Sequence, residues 1–524
     1  MKYFFHRSPF LMEIRCCHER GAIMKRRLLI TIAVAALWPL PARAQNAKAA
    51  LDAAATALGA TNLRSIEFSG RGFDFMFGQA YDGNSPWPRF SVPRYTVSID
   101  YATPAIRDDR TRTQIQNPPL GGGFQPIVGE LRQIWVMSGT RAWNMVGQNA
   151  VPADAERDLR TAVEGRLGQI WLTPQGFIKA AMAGNATAKT ENIRGANKTI
   201  LSFRALDKFK IEGLLNEQSL VEWIQIWFDN PVLGDTTFEA AFSSYKDFGG
   251  VKFPTRIVQR EGGYPVLDVT ITDVKPNASV AIDVPANIAA MKPPEPHVIK
   301  PEKLADGVWS LPVDERDHSV AIEFRDHIIV VEAPDSEALS APAIDVIKKL
   351  IPGKPIKYVI NTHTHSDHAG GLRTYAAEGA TIVTQRDNIP YYEQVWAYPR
   401  TINPDRLAKS GRKPALEGVI GSRIFSDGSR QLIVYHYPGN MHNAGMLMVY
   451  LPKERILIEA DSFNPPANAS IPPAGFPNLV HFYEAVERLR LDVDQVVPIH
   501  DQPATFDTVR RAVETYKDSQ LTFR

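Results

Sequence analysis

The sequence is poor in the two residue types that most often bind transition metals through nitrogen or sulfur. It contains two cysteines, Cys16 and Cys17, and twelve histidines among 524 residues. Both cysteines precede residue 45, where the mature protein is expected to begin, so neither a disulfide nor a thiolate ligand is expected in it. No histidine lies between residues 45 and 292. A site with nitrogen or sulfur ligands therefore cannot be built from that part of the chain alone.

The chain also lacks a marked excess of charge and, beyond its N-terminal leader, an apolar run long enough to span a membrane. Its formal net charge is +2, with 22% charged and 44% hydrophobic residues. This composition is typical of a globular protein, and it argues against a nucleic-acid partner, which usually requires a basic face. We therefore expect neither a nucleic-acid partner nor a membrane span. The composition leaves oligomer formation open.

The N-terminal leader has the layout of a secretory signal peptide. From Met24 it reads MKRRLLITIAVAALWPLPARA, with a basic start, an apolar stretch over Leu28–Leu37, and small residues at a cleavage site after Ala44. The pattern predicts a periplasmic or secreted protein whose signal peptide is residues 24–44. Residues 1–23 precede this second methionine, and we interpret them as an over-extended start.

A proline-rich and charge-rich stretch at residues 293–303 predicts a linker between two domains. The first, residues 45–292, has short runs of β-branched and aromatic residues bounded by turn residues, with a helix predicted over Gln175–Met182. We expect a mostly antiparallel, curved sheet that resembles the half-barrels of lipoprotein carriers. The second, residues 304–524, alternates predicted strands and helices, which indicates an α/β layered domain.

One stretch of the second domain is crowded with side chains that can bind metals. The sequence HTHSDH follows the apolar strand Lys357–Asn361 and supplies His363, His365, Asp367 and His368. A polar loop is the simpler interpretation, but three imidazoles and a carboxylate in six positions suit Zn²⁺. Three residues with ligand side chains each follow another predicted strand: His442, Asp461 and His500. Because open α/β sheets bind ligands at the carboxyl ends of their strands, these residues favour a metal site.

The order H-x-H-x-D-H, then P-G-x-x-H, then A-D after a strand, then P-x-H resembles the metallo-β-lactamase superfamily over residues 300–515. The resemblance implies an αβ/βα sandwich with two divalent metal ions, of which Zn²⁺ is the favoured identity, between its sheets. It implies that His363, His365 and His442 bind one ion, that Asp367, His368 and His500 bind the other, and that Asp461 bridges them. It also implies a metal-bridging hydroxide as nucleophile, with Asp367 as the catalytic residue that orients it. Here two residues separate Pro438-Gly439 from His442, where most relatives have Gly-His directly.

The aspartate at position 461 resembles hydroxyacylglutathione hydrolases, lactonases and phosphodiesterases more than true β-lactamases, which generally carry Cys or Ser there. It therefore favours hydrolysis of an ester, lactone, thioester or amide-type bond. Phosphodiester or sulfate ester hydrolysis, a β-lactamase side activity and a single-iron sulfur dioxygenase are alternatives at the same site. The alternative outside enzymes is a periplasmic binding or assembly module with a structural metal.

Aromatic residues between the motifs are candidates for the wall of a substrate pocket. They are Tyr391, Tyr392, Trp396, Tyr437 and Phe463. Core packing explains them equally well. A second aromatic and turn-rich segment, Phe73–Phe90 of the first domain, is a candidate to cap the site.

Overall fold

The structure is a computed structural model that describes residues 42–123, 125–153, 161–292, 297–465 and 477–522. Most of the predicted signal peptide, and residues 293–296 of the predicted linker, lie outside the described residues. Within these ranges, no helix combines the length and the apolar composition that crossing a membrane would need.

The first part of the chain forms one antiparallel sheet of thirteen strands. The strands are β1 (Ser65–Phe75), β2 (Arg89–Asp100), β3 (Ala105–Thr113), β4 (Leu131–Ser138), β5 (Arg141–Val146), β6 (Asn149–Pro152), β7 (Thr187–Ile193), β8 (Ala196–Ala205), β9 (Phe209–Leu215), β10 (Val221–Asn230), β11 (Gly234–Phe248), β12 (Val251–Glu261) and β13 (Tyr264–Pro276). Their order is β6-β5-β4-β3-β2-β1-β13-β12-β11-β10-β9-β8-β7. Two runs of sequential strands are thus joined where β1 pairs with β13. This confirms the predicted β-rich, antiparallel first domain.

Helices pack on this sheet and complete its core. They are α1 (Ala42–Ala57), α2 (Ala162–Trp171), α3 (Pro174–Ala183) and α4 (Ala286–Ala289). The sequence predicts α3, whose Phe177 and Ile178 are fully buried in the core. Burial of each such side chain stabilises the fold by about 1.5–3 kcal/mol. Helix α2 is not predicted from the sequence, although Thr161 and Glu164 form a capping box at its start.

The second part contains two mixed sheets, of seven and six strands. The first consists of β14 (Glu302–Ala305), β15 (Val308–Pro312), β16 (His318–Glu323), β17 (Ile328–Val331), β18 (Ile356–Ile360), β19 (Thr381–Gln385) and β20 (Ala415–Val419). The second consists of β21 (Ser422–Ser426), β22 (Gln431–His436), β23 (Leu447–Leu451), β24 (Ile456–Glu459), β25 (Gln495–Pro498) and β26 (Ala504–Thr505). In both sheets the strands lie in chain order.

Helices cover the outer faces of the two sheets, so the second part is an αβ/βα sandwich, as the sequence predicts. The described helices of this part are α5 (Glu337–Leu350), α6 (Ser366–Ala369), α7 (Leu372–Glu378), α8 (Ile389–Trp396), α9 (Arg406–Ser410), α10 (Pro477–Leu489) and α11 (Phe506–Thr522), with a 3₁₀ turn at Arg386–Asn388. The layer between the sheets is filled by buried aliphatic side chains such as Val331, Ile360 and Val449. Other buried clusters lie beneath α5 and α7 and beneath α10 and α11.

The two parts are joined by hydrogen bonds as well as by the connecting chain. The Arg400 guanidinium donates to the carbonyl oxygens of Asn230 and Val232, at 3.2 and 2.8 Å. The Asp235 carboxylate accepts from the backbone N–H of Thr401 at 2.8 Å. These bonds fix the turn between β10 and β11 against the segment that follows α8.

Candidate metal centre

The seven predicted ligands lie at one edge of the sandwich, where strands of its two sheets end. In chain order they are His363 and His365 after β18, Asp367 and His368 in α6, His442 between β22 and β23, Asp461 after β24, and His500 after β25. Asp461 has a φ of 58°. This left-handed conformation is uncommon outside glycine but is several-fold enriched in aspartate and asparagine.

Three imidazoles meet at one point of this edge. The Nε2 atom of His363 lies 2.9 Å from Nδ1 of His365 and 3.3 Å from Nε2 of His442. All three ligand atoms lie within 4.8 Å of one another. Two ligands bound to one tetrahedral ion at about 2.0–2.1 Å would be separated by roughly 3.3 Å. The separations of His363 Nε2 from the other two nitrogens are therefore close to those of ligands that share one ion.

A second group lies beside the first and contains a carboxylate. Nε2 of His500 lies 3.1 Å from Nε2 of His368, and each of these nitrogens is 4.0 Å from Oδ2 of Asp367. The Asp461 carboxylate stands between the two groups. Its Oδ2 atom is 2.7 Å from His368 Nε2 and 3.5 Å from His363 Nε2, and its Oδ1 atom is 3.5 Å from His500 Nε2. Asp461 is therefore within reach of both positions that an ion could take.

The electrostatics of the first group favour a bound cation. Burial, followed by the crowding of imidazoles, lowers the pKa of His363 and of His442, and it lowers the pKa of His365 to about 3. These rings are neutral at pH 7 and offer lone pairs. In the second group burial again opposes charge, but carboxylates outweigh it: Asp461 and Glu332 raise the pKa of His368. With a donor set of five imidazoles and two carboxylates, the residues present fit two divalent ions of the zinc type.

Hydrogen bonds on the far side of three imidazoles fix how the rings are turned. Nδ1–H of His368 donates to Glu332 at 3.1 Å, and Nδ1–H of His500 donates to Asp317 at 2.5 Å. Nε2–H of His365 donates to the backbone carbonyl of Ala80 at 2.9 Å. Such bonds fix the tautomer and raise the basicity of the nitrogen that faces the metal position. The third of these partners belongs to the first domain.

A segment of the first domain, residues 76–85, lies directly against the centre. We refer to it as the covering segment. Nε2 of Gln79 donates to Oδ1 of Asp367 at 2.9 Å, and the Ser366 N–H donates to the carbonyl of Gly78 at 3.1 Å. On the other side, the Ala444 N–H donates to the carbonyl of Tyr81 at 2.8 Å. The covering segment is thus bonded to two loops that carry predicted ligands.

A glycine in a second loop of the first domain allows a close approach. A Cβ atom on Gly122 would lie 2.9 Å from Cε1 of His365 and 1.9 Å from Oε1 of Gln79. Only glycine leaves room for both side chains. The neighbouring Gly121 N–H donates to the carbonyl of Met441, one residue before His442, at 2.9 Å. Together these loops leave the histidines of the centre almost fully buried.

The five aromatic residues predicted to bind the substrate lie in different surroundings. Tyr391 lines a cavity beside the centre. Tyr392 is fully buried and its hydroxyl donates to Asn361 at 2.6 Å, so it supports the loop that carries His363. Trp396 packs on Tyr392 with ring centroids 5.6 Å apart. Tyr437 and Phe463 are 1% and 2% exposed and belong to the core beneath α10 and α11, so neither faces an open pocket.

Sequence reasoning missed the outer partners of the ligands. From sequence alone Glu332 is interpreted as a solvated or hydrogen-bonded residue, although its position directly after the apolar strand β17 resembles that of the ligands. Gln79 carries no such signal, since it lies in an irregular segment nearly three hundred residues from its partner. The predicted capping segment Phe73–Phe90 contains the covering segment, and the structure brings it against the centre.

Comparison with known proteins gives a family for the second domain. Residues 330–500 match the model of the Metallo-beta-lactamase superfamily. A metallo-beta-lactamase type 2 of Elizabethkingia meningoseptica is 28% identical over 131 residues, which is 25% of this chain and 46% of that protein. The 2,4-dinitroanisole O-demethylase subunit alpha of a Nocardioides species is 28% identical over 164 residues, 31% of this chain and 45% of that protein. The chain thus spans less than half the length of these two curated relatives.

Among solved structures, a metallo-beta-lactamase from Pontibacter korlensis aligns with a TM-score of 0.32 and 18% identity. The alignment covers 42% of this chain and 99% of that chain. The family-model match, residues 330–500, contains all seven predicted ligands. The structural alignment leaves more than half of the chain outside it.

Proposed function

Residues 330–500 form a domain of the metallo-beta-lactamase superfamily, and from this premise we propose that the protein is an exported hydrolase with two divalent metal ions. Zn²⁺ is the ion of choice for its imidazole-rich ligand set. The bond cleaved is of the ester, lactone, thioester or amide type. The substrate is a small molecule.

One observation carries the proposal: the Asp461 carboxylate lies between two groups of three ligands. It is 3.6 Å from His442 of the first group and 3.5 Å from His500 of the second. A carboxylate can bind through both oxygens, so it can connect two ions that lie about 3.5–4 Å apart. A lone structural zinc would instead be expected to have one closed set of four ligands.

Side chains around the centre would transfer the proton and orient the imidazoles, which metal ions cannot do. Two ions in the centre would polarise the scissile carbonyl and lower the pKa of a shared water. Asp367 lies at the second group, with Oδ2 toward His368 and His500 and with Oδ1 held by Gln79. Its carboxylate can accept the proton that the attacking water loses and deliver it to the leaving oxygen or nitrogen. Glu332, Asp317 and Ala80 keep the imidazoles turned toward the metal positions.

The experiment combines metal analysis with a substrate panel. The full chain, stripped with a chelator and reconstituted with zinc, is expected to hold about two ions per chain by mass spectrometry of the metals. The panel contains a nitrophenyl ester, a lactone, a phosphodiester, a sulfate ester, nitrocefin and 2,4-dinitroanisole. The last two are included because the curated relatives are named for a β-lactamase and an O-demethylase.

A pair of aspartate variants distinguishes loss of the metal centre from general destabilisation of the protein. Asp461→Ala is expected to lower the metal content toward one and to reduce turnover at least about a hundredfold. The control, Asp494→Ala, removes a 63% exposed carboxylate before β25 and is expected to match the wild type. Near-zero metal after reconstitution would contradict the proposal. Turnover confined to the phosphodiester or the sulfate would replace the proposed bond type.

Export is a separate part of the proposal, and it rests on the leader sequence alone. Expression in a Gram-negative host and recovery from the periplasm should give a protein whose N-terminal sequence begins at Gln45. An intact Met24 in purified protein would contradict it.

A further inference from the structure

A cavity lies between the two domains, beside the loop that carries the first ligands. The first domain contributes Phe77, Trp87, Leu233 and Tyr264, and the second contributes Ser366 and Tyr391. About 480 Å³ of space between its walls is not filled by protein atoms, and because this figure includes solvent at the mouth, the cavity is an open pocket and not a sealed void. Of the lining residues that the structure describes, none carries a charge.

Aromatic rings form one wall of this cavity. The Phe77 and Trp87 rings meet edge to face with centroids 4.5 Å apart, and Trp87 stacks on Tyr264 at 4.8 Å. Trp87 is 8% exposed while Tyr264 is 38% exposed, so the wall runs from the interior to the surface. Such a wall offers ring faces and edges to a flat apolar group.

Among the described residues that line the cavity, Ser366 has a buried side-chain oxygen without a partner. Oγ of Ser366 is buried and has no hydrogen-bond partner, although the Ser366 N–H is bonded to the carbonyl of Gly78. A buried hydroxyl without a partner is unfavourable, and a ligand with a hydroxyl or carbonyl group would satisfy it. The ligand chemistry indicated is therefore an uncharged aromatic ring with one polar substituent.

The cavity and the metal centre share a loop. Ser366 stands between His365 and Asp367 in sequence, and Ala80, which also lines the cavity, accepts the hydrogen bond from His365. Two glycines let the covering segment approach: a Cβ on Gly78 would be 2.4 Å from Ser366 Oγ, and one on Gly83 would be 2.5 Å from Cβ of Tyr391. A group in the cavity is thus next to the ligands.

We propose that this cavity binds the aromatic part of the substrate, with its polar substituent hydrogen-bonded to Ser366 Oγ. The substrate class is then an uncharged aryl-substituted ester, lactone or amide. This inference rests on the proposed function for the bond that is cleaved, but the cavity can be tested without any catalysis.

The binding test is calorimetric titration of the full, zinc-loaded chain with p-cresol and with toluene. We expect both to bind, and p-cresol to bind more tightly. Tyr264→Ala, at the exposed end of the wall, and Trp87→Ala should weaken both by about tenfold. Ser366→Ala should weaken p-cresol about two- to tenfold and leave toluene unchanged, because only p-cresol has a hydroxyl. Trp143→Ala is the control, since Trp143 is a buried tryptophan in another cluster of the first domain.

The kinetic test compares methyl 4-hydroxyphenylacetate with methyl butyrate. Hydrolysis of either adds water across the acyl C–O bond and releases methanol and the acid. The ratio of kcat/KM for the aromatic over the aliphatic ester should exceed ten in the wild type and in Trp143→Ala, and should fall in Tyr264→Ala.

The outcomes separate the two proposals. Absence of p-cresol binding, or unchanged binding in both Tyr264→Ala and Trp87→Ala, would overturn the assignment of the cavity. Binding that responds to these variants, in a protein that cleaves no carbonyl bond of the panel, would support the cavity and overturn the proposed function.

Discussion

Gln79 and Asp367 are 288 positions apart in the chain, and Nε2 of Gln79 donates a hydrogen bond of 2.9 Å to Oδ1 of Asp367. Both side chains are buried. The bond leaves Oδ2 of Asp367 on the side of His368 and His500. An amide of the first domain therefore determines which carboxylate oxygen faces the second metal position.

Gln79→Leu removes the amide donor and keeps a similar volume. Outer partners of a ligand are worth about 10- to 100-fold in metal affinity or activity, so we expect a loss in that range for the more weakly bound ion and for kcat. Competition with a chromophoric chelator measures the loss of metal affinity. Gln175→Leu is the control, because Gln175 is equally buried but is bonded to the carbonyl of Lys252. Identical chelator competition curves for Gln79→Leu and the wild type would show that Gln79 does not contribute to metal binding.

Glu332→Gln is expected to weaken the second position through His368. The Glu332 carboxylate accepts from His368 Nδ1 at 3.1 Å and from Thr362 Oγ1 at 2.5 Å. The amide keeps the shape but accepts less strongly, so metal content should fall toward one ion at limiting zinc. Glu323→Gln provides the comparison, because Glu323 pairs with Lys354 away from the centre. If the two variants retain the same zinc content, the Glu332 contact does not support the ligand.

Gly78→Ala tests how closely the covering segment must approach. Gly78 has a φ of 68°, and a Cβ atom there would lie 2.4 Å from Ser366 Oγ. We expect a loss of roughly 1–3 kcal/mol in unfolding free energy and a weaker metal site. Gly147→Ala is matched, since its φ is 61° and nothing lies within 4 Å of its Cβ position. Equal thermal and metal-binding losses in both variants would assign the effect to backbone conformation alone.

Asp405 lies away from the metal centre, and Asp405→Asn should lower the stability of the fold by an amount that depends on pH. Burial tends to raise the pKa of Asp405, but its hydrogen bonds with the Arg373 guanidinium, at 2.5 and 3.0 Å, and with the Ala408 N–H lower it overall. A lowered folded pKa stabilises the protein above the ordinary value near 4, and this contribution is lost as the pH falls through the folded pKa.

At pH 7 the asparagine variant should therefore be less stable by about 1–3 kcal/mol, and the difference should shrink steadily below about pH 4. Denaturant unfolding of chelator-treated protein at pH 7 and pH 3 measures it without a contribution from metal loss. A difference that is constant with pH would contradict the ionic origin of the effect.

The grouping of the candidate ligands could be predicted from sequence because each of them follows a recognisable strand. β18 and β24 are short, largely apolar strands, and His363 and Asp461 follow their last residues by three and two positions. The helix α8 was missed although Pro390 stands at its first turn, a position that favours proline. Ala80 could not be found, since its contribution is a backbone carbonyl that every residue type possesses. The aromatic residues were ambiguous because core and pocket use the same side chains.

The hydrogen bond between His365 and Ala80 joins positions 285 residues apart, and it bears on how the protein is made. Ala80 and the strands around it emerge before the histidines, both from the ribosome and on the far side of the membrane in the proposed export. Domains made first generally fold first, so the sheet is expected to be in place when the histidines emerge. The second domain would then fold against the first domain rather than by itself. A truncated protein made of residues 304–524 behind an unrelated leader would lack the first domain and its bond to His365. The second domain is therefore expected not to work when it is transferred alone.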